Sequence, residues 1–172
     1  MERVQYIYDQ MQEISDDVSA KLGITLLYMY GTPKEIIENL REISYDPLQT
    51  TKKYPMLALL ANIKEERGIK GIMARIEANM VIATLTDPAY KSPTRIATNF
   101  YPVLYPIYEQ LLKSIAISPY YLETTWHHIE HFKEDNLYWG KQGLYTEEGN
   151  VFEDRIDAIT INRMKLSIKQ QC

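Results

Sequence analysis

All 3 histidines of the chain fall in one stretch, His127-His128-Ile129-Glu130-His131. On a helix His127 and His131 would stand at i and i+4 with Glu130 beside them, and a fourth group would complete a tetrahedral zinc set. The order is not that of the zinc proteases, in which glutamate directly follows the first histidine. On an extended strand His127 and His131 would share a face about 13 Å apart, too far to hold one ion. Two other readings stand beside metal binding: a polar surface patch, and a subunit contact that responds to pH as the imidazoles charge. Adjacent acids occur at Glu134-Asp135, Glu147-Glu148 and Glu153-Asp154. Neighbours in either regular element point apart, so these pairs suit a solvated surface better than acid–base work. No glycine cluster forms a phosphate cradle. The single cysteine, Cys172, has no partner for a disulfide and no catalytic neighbour in sequence. The expectation is a protein without catalysis and without a cofactor. A small metal-dependent enzyme built on residues 127–131 is the alternative.

Position for these groups must come from a folded body, and the composition supplies one. Apolar residues make up 45% of 172 positions and charged residues 24%, enough for a real core. The net charge of -4 argues against wholesale wrapping by nucleic acid. Arginine and lysine do not interleave with aromatics as they would on a single-strand platform. No apolar run approaches a membrane span, so no membrane partner is expected. The first residues lack the basic-then-apolar order of a secretion signal.

The organising stretch is Gly71 to Thr86. Ile72, Ala74, Ile76, Ala78, Met80 and Ile82 share one face if the chain is extended, and Arg75, Glu77 and Asn79 share the other. That is a half-buried antiparallel strand, covered on both faces from Met80 onward. Unbroken it would run about 50 Å, so a bend, a bulge or a projecting arm is expected. Before it, Val4, Ile7, Met11, Ile14 and Val18 make one stripe of an amphipathic helix. Ile24 to Tyr30 reads as a short strand. Thr32-Pro33-Lys34-Glu35 combines a cap, a first-turn proline and a returning glutamate, and so opens a helix. Tyr54 to Leu60 reads as a buried strand, and Asn62 to Lys70 as a loop or hairpin tip. Ser92-Pro93 opens another helix, which Pro102 and Pro106 are expected to break into 93–100 and a longer piece ending near 116. Ile156 to Ile161 and Met164 to Lys169 read as one or two closing strands. Together these predict a single α+β domain over 1–172, with an antiparallel sheet of about four strands and helices packed on one face.

Tyrosine is overused, with 14 copies against 3 phenylalanines. Tyrosine seals core edges and is favoured at protein interfaces. Residues 117–150 form a long aromatic-rich excursion before the C-terminal strands, expected to project or to contact partners. It holds both tryptophans, Trp126 and Trp139, with Tyr138 and Tyr145 near them. Those four, with Tyr101 and Tyr105 in the proline string, are the interface candidates. The alternative for the tryptophans is that they fold back and seal the protein's own core.

Several strings carry a resemblance: Lys53-Tyr54-Pro55, Met80 to Pro88, Asn99 to Tyr108, Tyr138-Trp139-Gly140 and Asp157 to Ile161. The chain resembles small structural proteins of tailed phages and prophages of Bacteroidetes, including the crAss-like phages, and is similar to tail-completion or tail-terminator proteins. The resemblance implies a mixed fold and a homo-oligomeric ring around the channel between head and tail. Its partners would be neighbouring ring, portal or tail proteins, with DNA only in transient passage. It implies location in the virion after assembly in the bacterial cytoplasm, and it brings no catalytic residues with it. A non-virion assembly adaptor is a further alternative.

Overall fold

The computed structural model describes residues 6–137 and 154–170. The fold is α+β, built on a six-stranded sheet in the order β1-β2-β4-β6-β5, with β3 paired to the lower half of β4. The strands are β1 (Leu27–Gly31), β2 (Met56–Leu60), β3 (Lys64–Glu66), β4 (Ile72–Leu85), β5 (Phe132–Asn136) and β6 (Ile156–Lys169). The helices are α1 (Ile7–Leu22), α2 (Pro33–Tyr45), α3 (Ser92–Arg95) and α4 (Tyr105–Ile117), with a π-helical stretch, Ile96–Leu104, joining the last two.

The expected long strand is β4, and its alternation is realised. Ala74, Ile76, Ala78, Met80 and Ile82 are buried, Arg75 is exposed, and Val81 and Ala83 bury the second face from Met80 onward. β4 does not stand apart as an arm, because β6 pairs with it along nearly its whole length and β2 and β3 share its other edge. The expected irregularity lies between Ala78 and Met80, where β6 carries one extra residue. Arg163 sits in that bulge at φ 55°, the left-handed region. Its N–H would lose its ladder partner, and the Asn79 side chain accepts it instead at 2.8 Å.

Three expectations differ from the structure. The sheet has six strands rather than four, and it is mixed, because β1 runs parallel to β2. The chain leaves β1 through α2 before returning in β2, and such a helical crossover delivers the strand in the same direction. Helices cover both faces rather than one. α1, α4 and the π-helical stretch pack with Leu57, Leu59, Ile76, Met80, Ile159 and Ile161 on one side. α2 places Ile36, Ile37 and Leu40 against Met56, Ala58, Val81 and Ala158 on the other. Finally, Ser92 to Ile117 runs helical without a break. The Tyr105 N–H reaches back to the Phe100 carbonyl, five residues away. The wider π turn spares the proline ring its clash with the carbonyl four residues earlier, and Pro106 falls in the first turn of α4.

The opening of α2 follows its expected cap. Thr32 Oγ1 accepts from the Glu35 N–H (3.3 Å), and Glu35 Oε2 accepts from the Thr32 N–H (2.7 Å). The segment after Asn62 forms a β3–β4 hairpin, turned by Gly68 and Gly71 at φ 82° and 87°. The described part of 117–150 contributes Tyr121 and Ile129 to the core and β5 to one edge of the sheet. The bulge supplies a test. Arg163→Val should be less stable than Arg163→Gly by about 1–2 kcal/mol in urea unfolding, the reverse of ordinary strand preference, because left-handed backbone penalises a β-branched side chain. Asn79→Ala should cost about 1 kcal/mol through the lost acceptor.

Candidate functional site

The histidine stretch forms neither of the regular elements considered for it. Trp126–His128 is a single 3-10 turn, and residues 129–131 lead irregularly into β5. The His127 ring lies on Trp126 with centroids 3.5 Å apart. His128 is exposed. His131 Nδ1 lies 2.7 Å from the Ile129 carbonyl, which can only accept, so this nitrogen carries the proton. His131 Nε2 then accepts from the Tyr108 hydroxyl at 2.6 Å. Both nitrogens of His131 are therefore engaged. Among the described residues, no three His, Cys, Asp or Glu side chains converge to hold a metal ion.

Tyr101 and Tyr105 come together, with ring centroids 5.8 Å apart. Tyr101 is exposed, while Tyr105 donates to Asp135 at 2.5 Å. That hydrogen bond, with smaller help from burial, pushes the Tyr105 phenol up to about 12. Lys133 holds the same carboxylate (2.5 Å) and lies over the Tyr105 ring at 4.6 Å. Trp126 is half-buried against the main core, with Lys113 over its ring at 5.2 Å. Tyr138, Trp139 and Tyr145 lie outside the described residues, as do Glu147, Glu148 and Glu153.

A second aromatic surface, absent from the sequence candidates, runs along β1. Tyr8 and Tyr30 lie 4.7 Å apart, and the Tyr28 hydroxyl donates to the Tyr8 carbonyl at 3.0 Å. Tyr8, Gln12, Tyr28, Tyr30, Glu35 and Asn39 line an open groove beside the strand. The only sequence signal was the i, i+2 spacing of Tyr28 and Tyr30, which places two phenols on one face of a strand.

Two buried polar clusters were also missed. Arg95 and Asp157 are almost fully buried and lie 3.1 Å apart. Asn99 donates to Asp157 (2.7 Å) and to Thr86 (2.9 Å), and Arg95 Nε donates to Thr86 (3.2 Å). Lys53, also buried, donates to Asp154 and to Ser44 Oγ (2.5 Å), while Tyr54 donates to Asp154 at 2.8 Å. A serine beside a lysine suggests nucleophilic catalysis, but the geometry argues otherwise. Lys53 Nζ donates to both Ser44 and Asp154, and Ser44 gives its own proton to the Leu40 carbonyl (2.9 Å) rather than to the lysine. Both clusters are ties between elements.

No known family model, curated protein or solved structure matches the chain. The function therefore rests on the surfaces and clusters just described.

Two outcomes follow from the buried groups. Arg95→Met alone should cost about 3–5 kcal/mol by removing the cation that faces the buried Asp157 carboxyl, and Arg95→Met with Asp157→Leu should recover much of that loss. Chemical unfolding of both variants checks it. Burial first, then neighbouring negative charge, raises the phenols of Tyr28, Tyr54 and Tyr121 above their ordinary value. The unfolded chain ionises these groups near pH 10 while the folded chain holds their protons, so their contribution is complete below pH ~10 and declines above it. The unfolding free energy should be flat in this respect up to pH ~9.5 and should then fall by up to about 1.4 kcal/mol per pH unit for each of the most buried phenols, Tyr54 and Tyr121. Tyr54→Phe should shallow that slope. An unchanged slope in Tyr54→Phe would contradict the assignment.

Proposed function

We propose that this chain is a non-catalytic structural subunit of a ring in a phage head–tail connector or tail barrel, surrounding the DNA channel. Its partners in this reading are copies of itself and neighbouring ring, portal or tail proteins, with DNA only passing through and no membrane involved. It acts in the virion, after assembly in the bacterial cytoplasm. A cyclic assembly needs two unlike surfaces on every copy, each complementary to the other. The observation that carries the reading is a pair of such surfaces. One is the tyrosine-lined groove along β1, which contains Glu35 and has Asp9 and Asp16 of α1 beside its Tyr28 and Gln12. The other is the exposed β3–β4 hairpin, with Arg67 and Lys70 at its tip. The resemblance in the proline–tyrosine string of residues 99–108 supports the same class.

The metal-enzyme alternative loses its best ligand, since the His131 nitrogens are taken by Ile129 and Tyr108. Mass photometry of the purified protein mixed with its neighbouring virion components should give closed assemblies of one fixed multiple. A chain that stays monomeric with every such component present would overturn the proposal. Counting the protein in purified virions separates it from an assembly adaptor, which would leave the mature particle.

A further inference from the structure

The edge strand β1 lacks the usual guards. Leu27-Tyr28-Met29-Tyr30-Gly31 holds no charged residue and no proline, the devices that normally blunt a sheet edge. Leu27 N–H donates to the Pro55 carbonyl, and Ala61 N–H to that of Gly31. By alternation, Tyr28 and Tyr30 turn their own N–H and C=O groups outward, away from β2. The opposite edge, β5, reads Phe132-Lys133-Glu134-Asp135-Asn136 and carries three consecutive charges.

Charge decides what fits along β1. No lysine or arginine lines the groove, and Glu35 does. α1 adds Asp9, whose charge is felt at Tyr28, and Asp16, bonded to the groove residue Gln12, while Glu13 and Asp17 are held on the other side by Tyr120 and Ser114, and the helix has no cation before Lys21. Two β1 edges meeting across a two-fold axis would bring the acids on the groove side face to face. Pairing β1 with β5 of another copy would add Glu134 and Asp135 to the same acidic rim. The fitting occupant is extended, exposed and cationic. Among the described residues the β3–β4 hairpin has all three properties. Lys64 to Lys70 is exposed except for the half-buried Ile69. Its tip, Arg67-Gly68-Ile69-Lys70-Gly71, has two cations and no acid, and the space around both glycines is open. Arg67 touches Glu65 at 2.8 Å, a surface pair that is easily exchanged.

We propose that the β3–β4 hairpin of one copy lies along β1 of the next, adding to its edge. Backbone groups of the hairpin pair with the outward groups of Tyr28 and Tyr30, and Arg67 and Lys70 meet Asp9 and Asp16 of α1. The inference rests on the ring reading, since it names the contact between successive copies.

The test uses two single-cysteine variants of the full chain, both carrying Cys172→Ser. One adds Tyr30→Cys and the other Ile69→Cys. Mixed at high concentration under a mild oxidant, they should form a disulfide between positions 30 and 69 in large excess over like-with-like dimers. High salt should suppress it, because exposed charges are screened within a few ångströms at ~1 M. A second pair of variants, Arg67→Glu/Lys70→Glu and Asp9→Lys/Asp16→Lys, changes only exposed residues. Each should fail to self-associate by sedimentation, and mixing the two should restore association. Absence of the 30–69 link, dominance of symmetric dimers, or no rescue on mixing would overturn the contact. Closed assemblies without this link would sink the contact alone, whereas the link without closed assemblies would sink the ring.

Discussion

β4 and β6 are each 14 residues long and are paired from Ile72 with Lys169 to Leu85 with Ile156, and almost every other element takes its position from that ladder. β2 and β3 occupy the free edge of β4, while β5 occupies that of β6. Alternation along the pair then sets both cores. Ile76, Met80, Ile82, Ile159 and Ile161 turn toward α1 and α4, and Val81, Ala83 and Ala158 turn toward α2. A one-residue slip would exchange these two sets of side chains and expose both. The extra residue at Arg163 is thus a constraint as much as an irregularity. It shifts the phase of β6 midway, so that Ile161 and Met164, three apart, can both enter the same core.

The local periodicities were legible for a plain reason. A face buried on one side leaves a period in the sequence, as in α1, α2, β4 and the second half of β6, and β2, buried on both faces, leaves an unbroken apolar run instead. What stayed hidden was the partner of each strand. Nothing in Leu27–Gly31 distinguishes a strand running parallel to β2 from an antiparallel one, because its side chains obey the same alternation either way. The second helical face was hidden for a related reason. The doubly apolar end of β4 signals cover on both sides but does not say which helix supplies it. Pro102 and Pro106 misled because the rule against prolines assumes α-helical spacing. A π turn relaxes that spacing, and the bond from Tyr105 to Phe100 shows the longer reach in place.

The surface chemistry was less legible than the fold. Clustering in sequence drew attention to His127, His128 and His131, yet only His131 is engaged in a defined network, and that network is completed by Tyr108 from α4. The Arg95–Asp157 pair joins residues 62 positions apart in sequence, by simple subtraction, so no local pattern announces it. The tyrosines followed the same logic. Tyr8 and Tyr30 stack only because α1 is laid beside β1 by the core beneath them. Tyr101 and Tyr105 were visible as a pair because a single helical run carries both.

The two buried polar clusters share one place in the fold. Asp154 and Asp157 stand at the entrance to β6, and each is met by a buried cation from a different part of the chain, Lys53 and Arg95. Hydrophobic substitutes of the same shape would often be as stable or more so. They would not define position as sharply, because apolar contact tolerates sliding, whereas a carboxylate with directed donors fixes one register. Asn99 and Thr86 close the first network from the helix and from the end of β4, and Tyr54 closes the second from the start of β2. The entry of β6 is thereby tied to three elements at once. Force applied to the chain before Asp154 meets these ties before it reaches the β4–β6 ladder.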